Sequence, residues 1–522
     1  MVTIGKNILE NLTTGMYSDS KVAYREYVQN ACDQMDKAIE QNIISSEDAL
    51  IDIYLDEENR YISIKDNATG IPVNDFKKSL GDIANSDKEQ GKDKGFRGIG
   101  RLCGLAYCKT LKFTASAIDE DVTSIMICDA EEMRRMLREN KKYTIEEILS
   151  KIIKFDTRSE ELDQHFFEVE LIGISSENTD LLDEKKVKEY LSFIAPVPYK
   201  NTFLLRDEIY SHANEIGYKI DEYNIKVNGE QVFKEYTTKL KEQNGTSLKN
   251  YDKISRLEFK DFYAPDGSMI AWMWVGLSRF EKSIPKINAM RGLRLRQANI
   301  QIGNADSLQN LFKESRGNNY FVGEVFSVSY DLIANSQRDY FNETKTRVLF
   351  ETELRRYFHD TLHKLYYGAN EIKNVFKRQE EFIEKVNEFQ TKMKENSFID
   401  EQSRQKLQSE IEKAREEAEK AKKKLTKYDD VDHTSPIAEV KKRISEKFKA
   451  IELIEKVETT DIKEVIEKEP PVKKGGNYAV DTLSKLSRNE RKLVSKIWSI
   501  ITNNAPKEVA EDIIEKIKEE FK

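Results

Sequence analysis

The chain has few cysteines and few histidines for its length. Its 522 residues include four cysteines and five histidines. Four cysteines are too few for a disulfide scaffold, and a reducing compartment fits them. Cys32 and Cys128 lie in apolar patterns typical of buried thiols, while Cys103 and Cys108 lack the spacing of a zinc site. Since the histidines do not cluster either, the sequence favours buried, unreactive thiols over a metal centre.

Long apolar runs are also missing. No segment reaches the roughly 18 apolar residues that span a bilayer, and the N-terminal residues contain no apolar signal core. The net charge of −8 argues against a protein coated with basic residues, although local basic strips remain compatible with it. The 39% hydrophobic fraction is enough to build real cores. We therefore expect a cytoplasmic protein of roughly two to four domains with no membrane partner.

One predicted helix carries three polar side chains on one face. In residues 24–36, Glu26, Asn30 and Asp33 are spaced i, i+4 and i+7. A carboxylate and an amide one turn apart can serve a nucleotide site. Asn30 would offer a neutral oxygen to Mg²⁺, and Glu26 would polarise a water molecule.

A predicted β-hairpin follows and ends in a turn. Residues 50–57 and 62–65 alternate apolar and polar side chains, which predicts two antiparallel strands. Asp66 stands at the end of the second strand, where it could accept a hydrogen bond from the amine of adenine. Gly70 would let the backbone approach a flat ligand. An ordinary Asn/Gly turn is the alternative for this segment.

A glycine-rich loop lies about 25 residues further on. Gly95, Gly98 and Gly100 precede an apolar helical pattern at Leu102 and Leu105. Such a loop exposes amide hydrogens to phosphate oxygens, and the following helix adds its positive end. The motif alone is weak evidence and is not a dinucleotide fingerprint. The polar segment 73–94 before it has the position of a mobile lid, with a surface loop as the alternative.

Together, E-x₃-N-x₂-D, D-x₃-G and G-x-x-G-x-G occur in this order within about 100 residues. This combination resembles the Bergerat nucleotide site of the GHKL superfamily, which includes gyrases, heat-shock chaperones, histidine kinases and MutL proteins. Within the superfamily the chain most resembles the ninety-kilodalton heat-shock chaperones of the HtpG type, through residues 16–19, 25–26, 30–33, 36–37 and 83–86. The resemblance covers roughly residues 10–345.

The resemblance implies a Mg²⁺-dependent ATPase with ATP and Mg²⁺ as its ligands. It implies Glu26 as the general base, Asn30 as the Mg²⁺ ligand and Asp66 as the adenine anchor. The nucleotide contacts expected from the motifs are Asn30, Asp33, Asp66, Gly70, Asn85, Ser86, Gly95, Phe96, Arg97, Gly98, Ile99 and Gly100.

Two positions depart from the family pattern. Ala68 stands where the family usually has a glycine, and alanine fits only if the backbone angle φ is not strongly positive there. Phe167 lies where the family often has a Gly-Thr pair near adenine, and a phenyl ring cannot supply that hydroxyl.

A second region matches the same family. Residues 331–339 look like the loop in which the chaperones carry a catalytic arginine, with Asn335 three residues before Arg338 and an acid after it. Arg338 is therefore the predicted cation for the transition-state charge. The alternative is a surface arginine paired with Asp339.

The predicted fold class is α+β. A Bergerat-type α/β sandwich ATPase domain is expected at 1–185 and an α+β transducer domain at 186–370, with strands near 271–277, 292–303 and 320–329. Arg291, Arg294 and Arg296 are expected on the outer face of a strand, with a nucleic-acid strip as the alternative.

The C-terminal third is expected to be helical. Apolar residues at 4-3 spacing predict a coiled-coil hairpin at 371–430, although two separately packed helices would share the pattern. A charged linker is predicted at 431–476. Two amphipathic helices at 477–522 would dock on the body or on a second copy, and we favour a homodimer.

Two functions remain open on the sequence. The first is an ATP-driven clamp resembling heat-shock chaperones that acts on an unknown protein client. The second is a nucleic-acid-associated clamp of the MORC or MutL kind. The acidic composition favours the first. A histidine kinase is disfavoured, because no histidine precedes the nucleotide motifs.

Overall fold

The structure is a computed structural model that describes residues 5–6, 9–10, 13, 19–81, 100–395, 397–425, 428, 435–448, 478–483 and 485–521. The chain divides into two units. The first comprises Met1–Ser278 and Lys282–His363, and the second comprises Arg279–Glu281 and Lys364–Lys522. The first unit combines sheets with helices and the second is helical, so the predicted α+β class is confirmed.

Eight strands form the first sheet, in the order β5-β4-β3-β6-β2-β1-β7-β8. Neighbouring strands are antiparallel except β1 and β7. The predicted hairpin is confirmed, with Ile53 opposite Ile64. The strands are β1 (Ile51–Asp56), β2 (Tyr61–Asp66), β3 (Thr110–Ser116), β4 (Val122–Asp129), β5 (Ile153–Ser159), β6 (Phe166–Ile172), β7 (Ile225–Val227) and β8 (Glu230–Gln231). Because β7 pairs with β1, this sheet extends past residue 185, where the ATPase domain was predicted to end.

The helices of this part pack on the apolar side chains of the sheet. Several begin at a side chain that accepts a hydrogen bond from the first turn, namely Asp129, Thr144 and Asp183. The α-helices are α1 (Val22–Glu40), α2 (Val73–Gly81), α3 (Ala130–Arg138), α4 (Ile145–Ile152) and α5 (Glu184–Ile194), and 3₁₀ turns span Gly100–Ala106 and Ser176–Leu181.

A second sheet has five strands in the order β11-β12-β15-β13-β14. The strands predicted in the transducer region are present, but the stretch 292–303 is split in two. Ala298 and Asn299 have φ angles of 48° and 59°, which make a tight reversal between β13 and β14. The elements are α6 (Arg206–Glu215), the separate ribbon β9 (Lys239–Asn244) and β10 (Ser247–Lys253), β11 (Arg256–Tyr263), β12 (Met269–Leu277), β13 (Gly292–Gln297), β14 (Ile300–Ile302), β15 (Val322–Ser327) and α7 (Lys345–Tyr357), with short 3₁₀ turns at Gln309–Leu311 and Ser315–Tyr320.

The prediction that Arg294 and Arg296 face outward was wrong. Both side chains are buried. Arg296 donates to the carboxylate of Glu324, and the guanidinium of Arg294 lies 4.1 Å from the ring centroid of Phe193. A buried arginine is tolerated when a carboxylate compensates its charge, and Glu324 on β15 does so here while also accepting from Lys234 at 3.0 Å.

The second unit is a set of helices. After a π-helical turn at Phe358–Leu362, its elements are α8 (His363–Glu395), α9 (Glu401–Leu425), α10 (Pro436–Lys447), a 3₁₀ turn (Ala479–Thr482), α11 (Arg488–Asn504) and α12 (Lys507–Phe521). Ser435 caps α10 by accepting from the amide of residue 438. Part of the segment predicted as a linker is therefore helical. The residues 469–476 lie outside the described part of the chain. None of the described helices could cross a membrane.

Helices α8 and α9 run antiparallel. Lys385 pairs with Glu410 at 2.7 Å and Arg378 with Glu417 at 3.1 Å, so residue numbers fall on one helix as they rise on the other. The apolar cluster between them contains predicted seam residues, namely Val386, Phe389, Leu407 and Ile411. The predicted helical hairpin is confirmed, and its coiled-coil geometry stays a prediction.

Candidate functional site

Helix α1 holds the three polar side chains predicted to share a face. Its apolar residues, including Tyr24, Tyr27 and Met35, are buried in the core with the first sheet. Glu26 is 9% exposed and Asp33 is 4% exposed, while Asn30 is half-buried. The helix therefore places two carboxylates and an amide at the border of the core.

Arg25 holds the carboxylate of Glu26. Its Nη2 and Nε lie 3.1 Å and 3.3 Å from Glu26 Oε1. Both side chains are largely withdrawn from solvent. A buried ion pair of this kind fixes the direction of the carboxylate, and removal of one partner typically costs about 3–5 kcal/mol.

Gly100 lies against the second oxygen of Glu26. A Cβ added at residue 100 would collide with Glu26 Oε2. The 3₁₀ turn that starts at Gly100 is fastened to α1 by the hydroxyl of Tyr27, which accepts from Gly104 N and donates to Arg101 O, each at 3.0 Å. The end of the glycine-rich loop is thus adjacent to Glu26, and the segment after it is a 3₁₀ turn where an apolar helix was predicted.

The remaining loop and lid residues predicted to contact a nucleotide lie outside the described residues. They are Asn85, Ser86, Gly95, Phe96, Arg97, Gly98 and Ile99. Their roles stay predictions.

Asp66 is buried at the end of β2. Its side chain is 3% exposed and accepts from Ala68 N at 3.1 Å. Burial raises the pKa of Asp66 to about 7. Gly70 has φ +62°, and a side chain there would collide with the Ser116 carbonyl. The turn thus presses its backbone onto the sheet beside a buried carboxyl group.

Ala68 and Phe167, the two positions that depart from the family pattern, differ in their effect on the site. Ala68 does not have a positive φ, so alanine fits the turn without backbone strain, and its carbonyl accepts from His165 Nδ1 at 2.8 Å. Phe167 stands directly opposite Asp66 in the strand register. Its ring centroid lies 6.1 Å from that of Phe113. An aromatic side chain therefore occupies the position beside Asp66.

Arg338 is buried and not a surface residue. It is 9% exposed, with φ of 54°. Its backbone N donates to Asn335 O at 3.1 Å, and its carbonyl accepts from Gly303 N at 2.8 Å. The side-chain amide of Asn335 donates to the carboxylate of Asp339. This loop of residues 335–339, the arginine loop, is held in place by its own hydrogen bonds and by the second sheet.

Arg25 connects the arginine loop to Glu26. Besides its bonds to Glu26, its Nη2 donates to Gln337 O at 3.1 Å. A cavity of about 510 Å³ lies here and is lined by both Arg25 and Arg338. Glu26 and the arginine loop are therefore neighbours although more than 300 residues separate them in sequence.

Sequence reasoning missed most of the residues that line this cavity, among them Arg25, Tyr190 and Arg294. Arg25 had a local signal, since it directly precedes the proposed base. Tyr190 and Arg294 had none, because they approach from α5 and β13.

Comparison with known proteins finds relatives of the N-terminal part of the chain. Residues 17–159 match the family described as "Histidine kinase-, DNA gyrase B-, and HSP90-like ATPase". The chain is 25% identical over 250 residues to the chaperone protein HtpG of Clostridium acetobutylicum. It is 36% identical over 85 residues to HtpG of Helicobacter hepaticus, which covers 15% of this chain and 14% of that protein. The N-terminal part of the chain is a GHKL ATPase domain related to that of HtpG.

The similarity beyond the GHKL domain is limited in extent. The match to the Clostridium protein covers 40% of this chain and 39% of that protein. HtpG of Halalkalibacterium halodurans matches over the same shares at 23% identity. The relatives therefore support the GHKL domain and its surroundings, and the activity of the whole chain is a matter of proposal.

Proposed function

We propose that this chain binds ATP with Mg²⁺ and hydrolyses it to ADP and phosphate at the face of α1 that carries Glu26, Asn30 and Asp33. The main support is the position of Arg25, which bonds both the Glu26 carboxylate and the Gln337 carbonyl. A carboxylate, the end of a glycine-rich loop and an arginine loop thus meet at one place. Hydrolysis of a phosphoanhydride needs a base, phosphate contacts and a cation in this proximity.

Each residue has a proposed role. Glu26 accepts a proton from the attacking water, and Arg338 stabilises charge on the γ-phosphate. Asp66 accepts from the adenine amine. The further nucleotide contacts are Asp33, Gly70, Asn85, Ser86, Gly95, Phe96, Arg97, Gly98, Ile99 and Gly100.

Asn30 is the proposed Mg²⁺ ligand. Its half-buried amide lies on the same helix face as Glu26. Magnesium, when bound, neutralises charge on the phosphate oxygens. It is commonly held by one or two protein oxygens together with those of the nucleotide.

Replacement of Glu26 tests the hydrolytic step. Glu26→Gln and Glu26→Ala should abolish phosphate release while ATP binding persists, because the base is lost and the binding groups remain. Glu40→Gln is a matched control, since Glu40 is exposed at the end of the same helix. Wild-type turnover in both Glu26 variants would refute the mechanism.

The proposal includes a homodimeric clamp that acts on a protein client. Its support is the similarity to proteins named as chaperones and an apolar stripe on α11. Leu493, Ile497 and Ile500 are 60%, 42% and 62% exposed and are spaced i, i+4 and i+7. Such a stripe is stabilised when a second surface covers it.

Light scattering tests the dimer. The wild type should have twice the monomer mass, and its hydrodynamic radius should decrease with a non-hydrolysable ATP analogue. Leu493→Asp should yield a monomer. Lys516→Asp, at an exposed position on α12, serves as the control.

For the client, the protein with ATP should slow aggregation of a heat-denatured test protein, and Glu26→Gln should not.

A further inference from the structure

The ribbon of β9 and β10 has an inner face that is buried at one end, and an outer face that is exposed along its whole length. Its two antiparallel strands pair with no other strand among the described residues. On the inner face, Leu240 is 1% exposed and Asp252 is 5% exposed. Since side chains alternate along a strand, the opposite face points away from the protein.

The outer face is basic and polar. Its cross-strand pairs are Lys239 with Lys253, Lys241 with Asn250, and Gln243 with Leu248. All six residues are exposed. This face contains no carboxylate, in a protein whose net charge is −8.

The lysines of the outer face repel each other. Lys239 and Lys253 stand directly opposite, and like charges in that position destabilise a ribbon. None of the three outer lysines forms an ion pair with a described carboxylate. Lys249 on the inner face does so, with Glu242 at 3.2 Å. A bound polyanion would remove the repulsion.

A neighbouring loop carries a further exposed lysine close to β9. Asn288 receives a hydrogen bond from Lys241 N and donates one to Lys241 O, each at 2.8 Å. These bonds fix the loop 282–288 against β9. Lys286 in this loop is exposed and adds a further cation beside the ribbon.

We propose that the outer face of this ribbon binds the phosphate backbone of a nucleic-acid duplex. A two-stranded ribbon fits the major groove of DNA, and lysines neutralise phosphates. The amides of Gln243 and Asn250 can donate to phosphate oxygens or base edges. An anionic membrane fits less well, because binding to a membrane surface is strengthened by buried apolar area and Leu248 is the sole apolar side chain of the face. This inference goes beyond the proposed ATP hydrolysis and does not rest on it.

The test is a titration of a labelled DNA duplex with the full chain, followed by fluorescence anisotropy between about 50 and 200 mM salt. The wild type should bind with strong salt dependence. The variant K239Q/K241Q/K253Q should bind at least about tenfold more weakly. Its slope of log affinity against log salt should be shallower by about 2.7, which is about 0.9 for each lost phosphate contact.

The control variant is K154Q/K185Q/K313Q, which removes three exposed lysines elsewhere in the same unit. It should bind DNA as the wild type does. Both triple variants should keep the wild-type ATPase rate, and neither should have a urea midpoint below that of the wild type. Absence of wild-type binding at the lowest salt, with and without an ATP analogue, would overturn the proposal. So would equal losses in both variants, or a ribbon variant that loses binding to phosphatidylserine vesicles but not to the duplex.

Discussion

Gly100→Ala should slow ATP hydrolysis without abolishing ATP binding. A Cβ at this position collides with Glu26 Oε2. The φ angle of Gly100 lies outside the left-handed region, so alanine can adopt the backbone and keeps the amide hydrogen. The perturbation is therefore steric and acts on the proposed base.

The size of the effect follows from how Glu26 is held. Arg25 bonds Oε1 of Glu26, so the carboxylate cannot turn away freely. A displacement of about 1 Å in a reacting group costs roughly 10²-fold in rate, or about 2.7 kcal/mol of transition-state stabilisation. Because Glu26 is only 9% exposed, crowding should also lower the free energy of unfolding by about 1–3 kcal/mol.

Steady-state phosphate release at saturating ATP gives kcat, and calorimetric titration gives the Kd for ATP. We expect kcat to fall about 100-fold and the Kd to change little. Gly81→Ala is the matched control, because a Cβ there meets nothing within 4 Å. If both glycine variants turn over at the wild-type rate, either the contact or the role of Glu26 is wrong.

Two further substitutions test other parts of the site. Asp66→Asn should weaken ATP binding and remove a pH dependence. Burial raises the pKa of Asp66 from 3.8 to about 7, so the folded protein binds more protons than the unfolded chain between these values. Wild-type stability should therefore fall by up to about 4 kcal/mol as pH rises through this window. Urea unfolding at about pH 5 and pH 8 should detect about 2.7 kcal/mol of this fall in the wild type and none in the variant. Arg338→Ala should lower kcat by roughly 10²–10³ with a small change in Kd, whereas the exposed Arg316→Ala should have neither effect in the same assays; a larger change in Kd than in kcat would contradict the role of Arg338.

Much of the fold could be predicted because the signals are local. The alternation in β1 and β2 and the 4-3 spacing in α8 and α9 reflect side chains that face one core. The helix face of Glu26 and Asn30 follows from the same periodicity. These patterns depend only on neighbours a few residues away.

The predictions from sequence were wrong where contacts between residues far apart in the chain determine the structure. Arg294 and Arg296 alternate with leucines, which is typical of an exposed strand face. Both are nevertheless buried, because Glu324 on the neighbouring strand β15 compensates the charge of Arg296, while Arg294 donates to Gln301 and to the carbonyl of Ala289. The reversal at Ala298 and Asn299 contains no glycine to indicate it. Such features depend on register between segments, which a single sequence does not reveal.

Because Arg25 donates hydrogen bonds both to Glu26 and to Gln337, the two halves of the proposed site depend on each other. One guanidinium orients the base and also holds the backbone of the arginine loop. Any movement that withdraws the loop takes a hydrogen bond from Arg25 and loosens Glu26 at the same time. Under the proposed function, activation of water by Glu26 and stabilisation of the γ-phosphate charge by Arg338 would then be gained or lost together. ATP would stay bound without being hydrolysed until the arginine loop contacts Arg25.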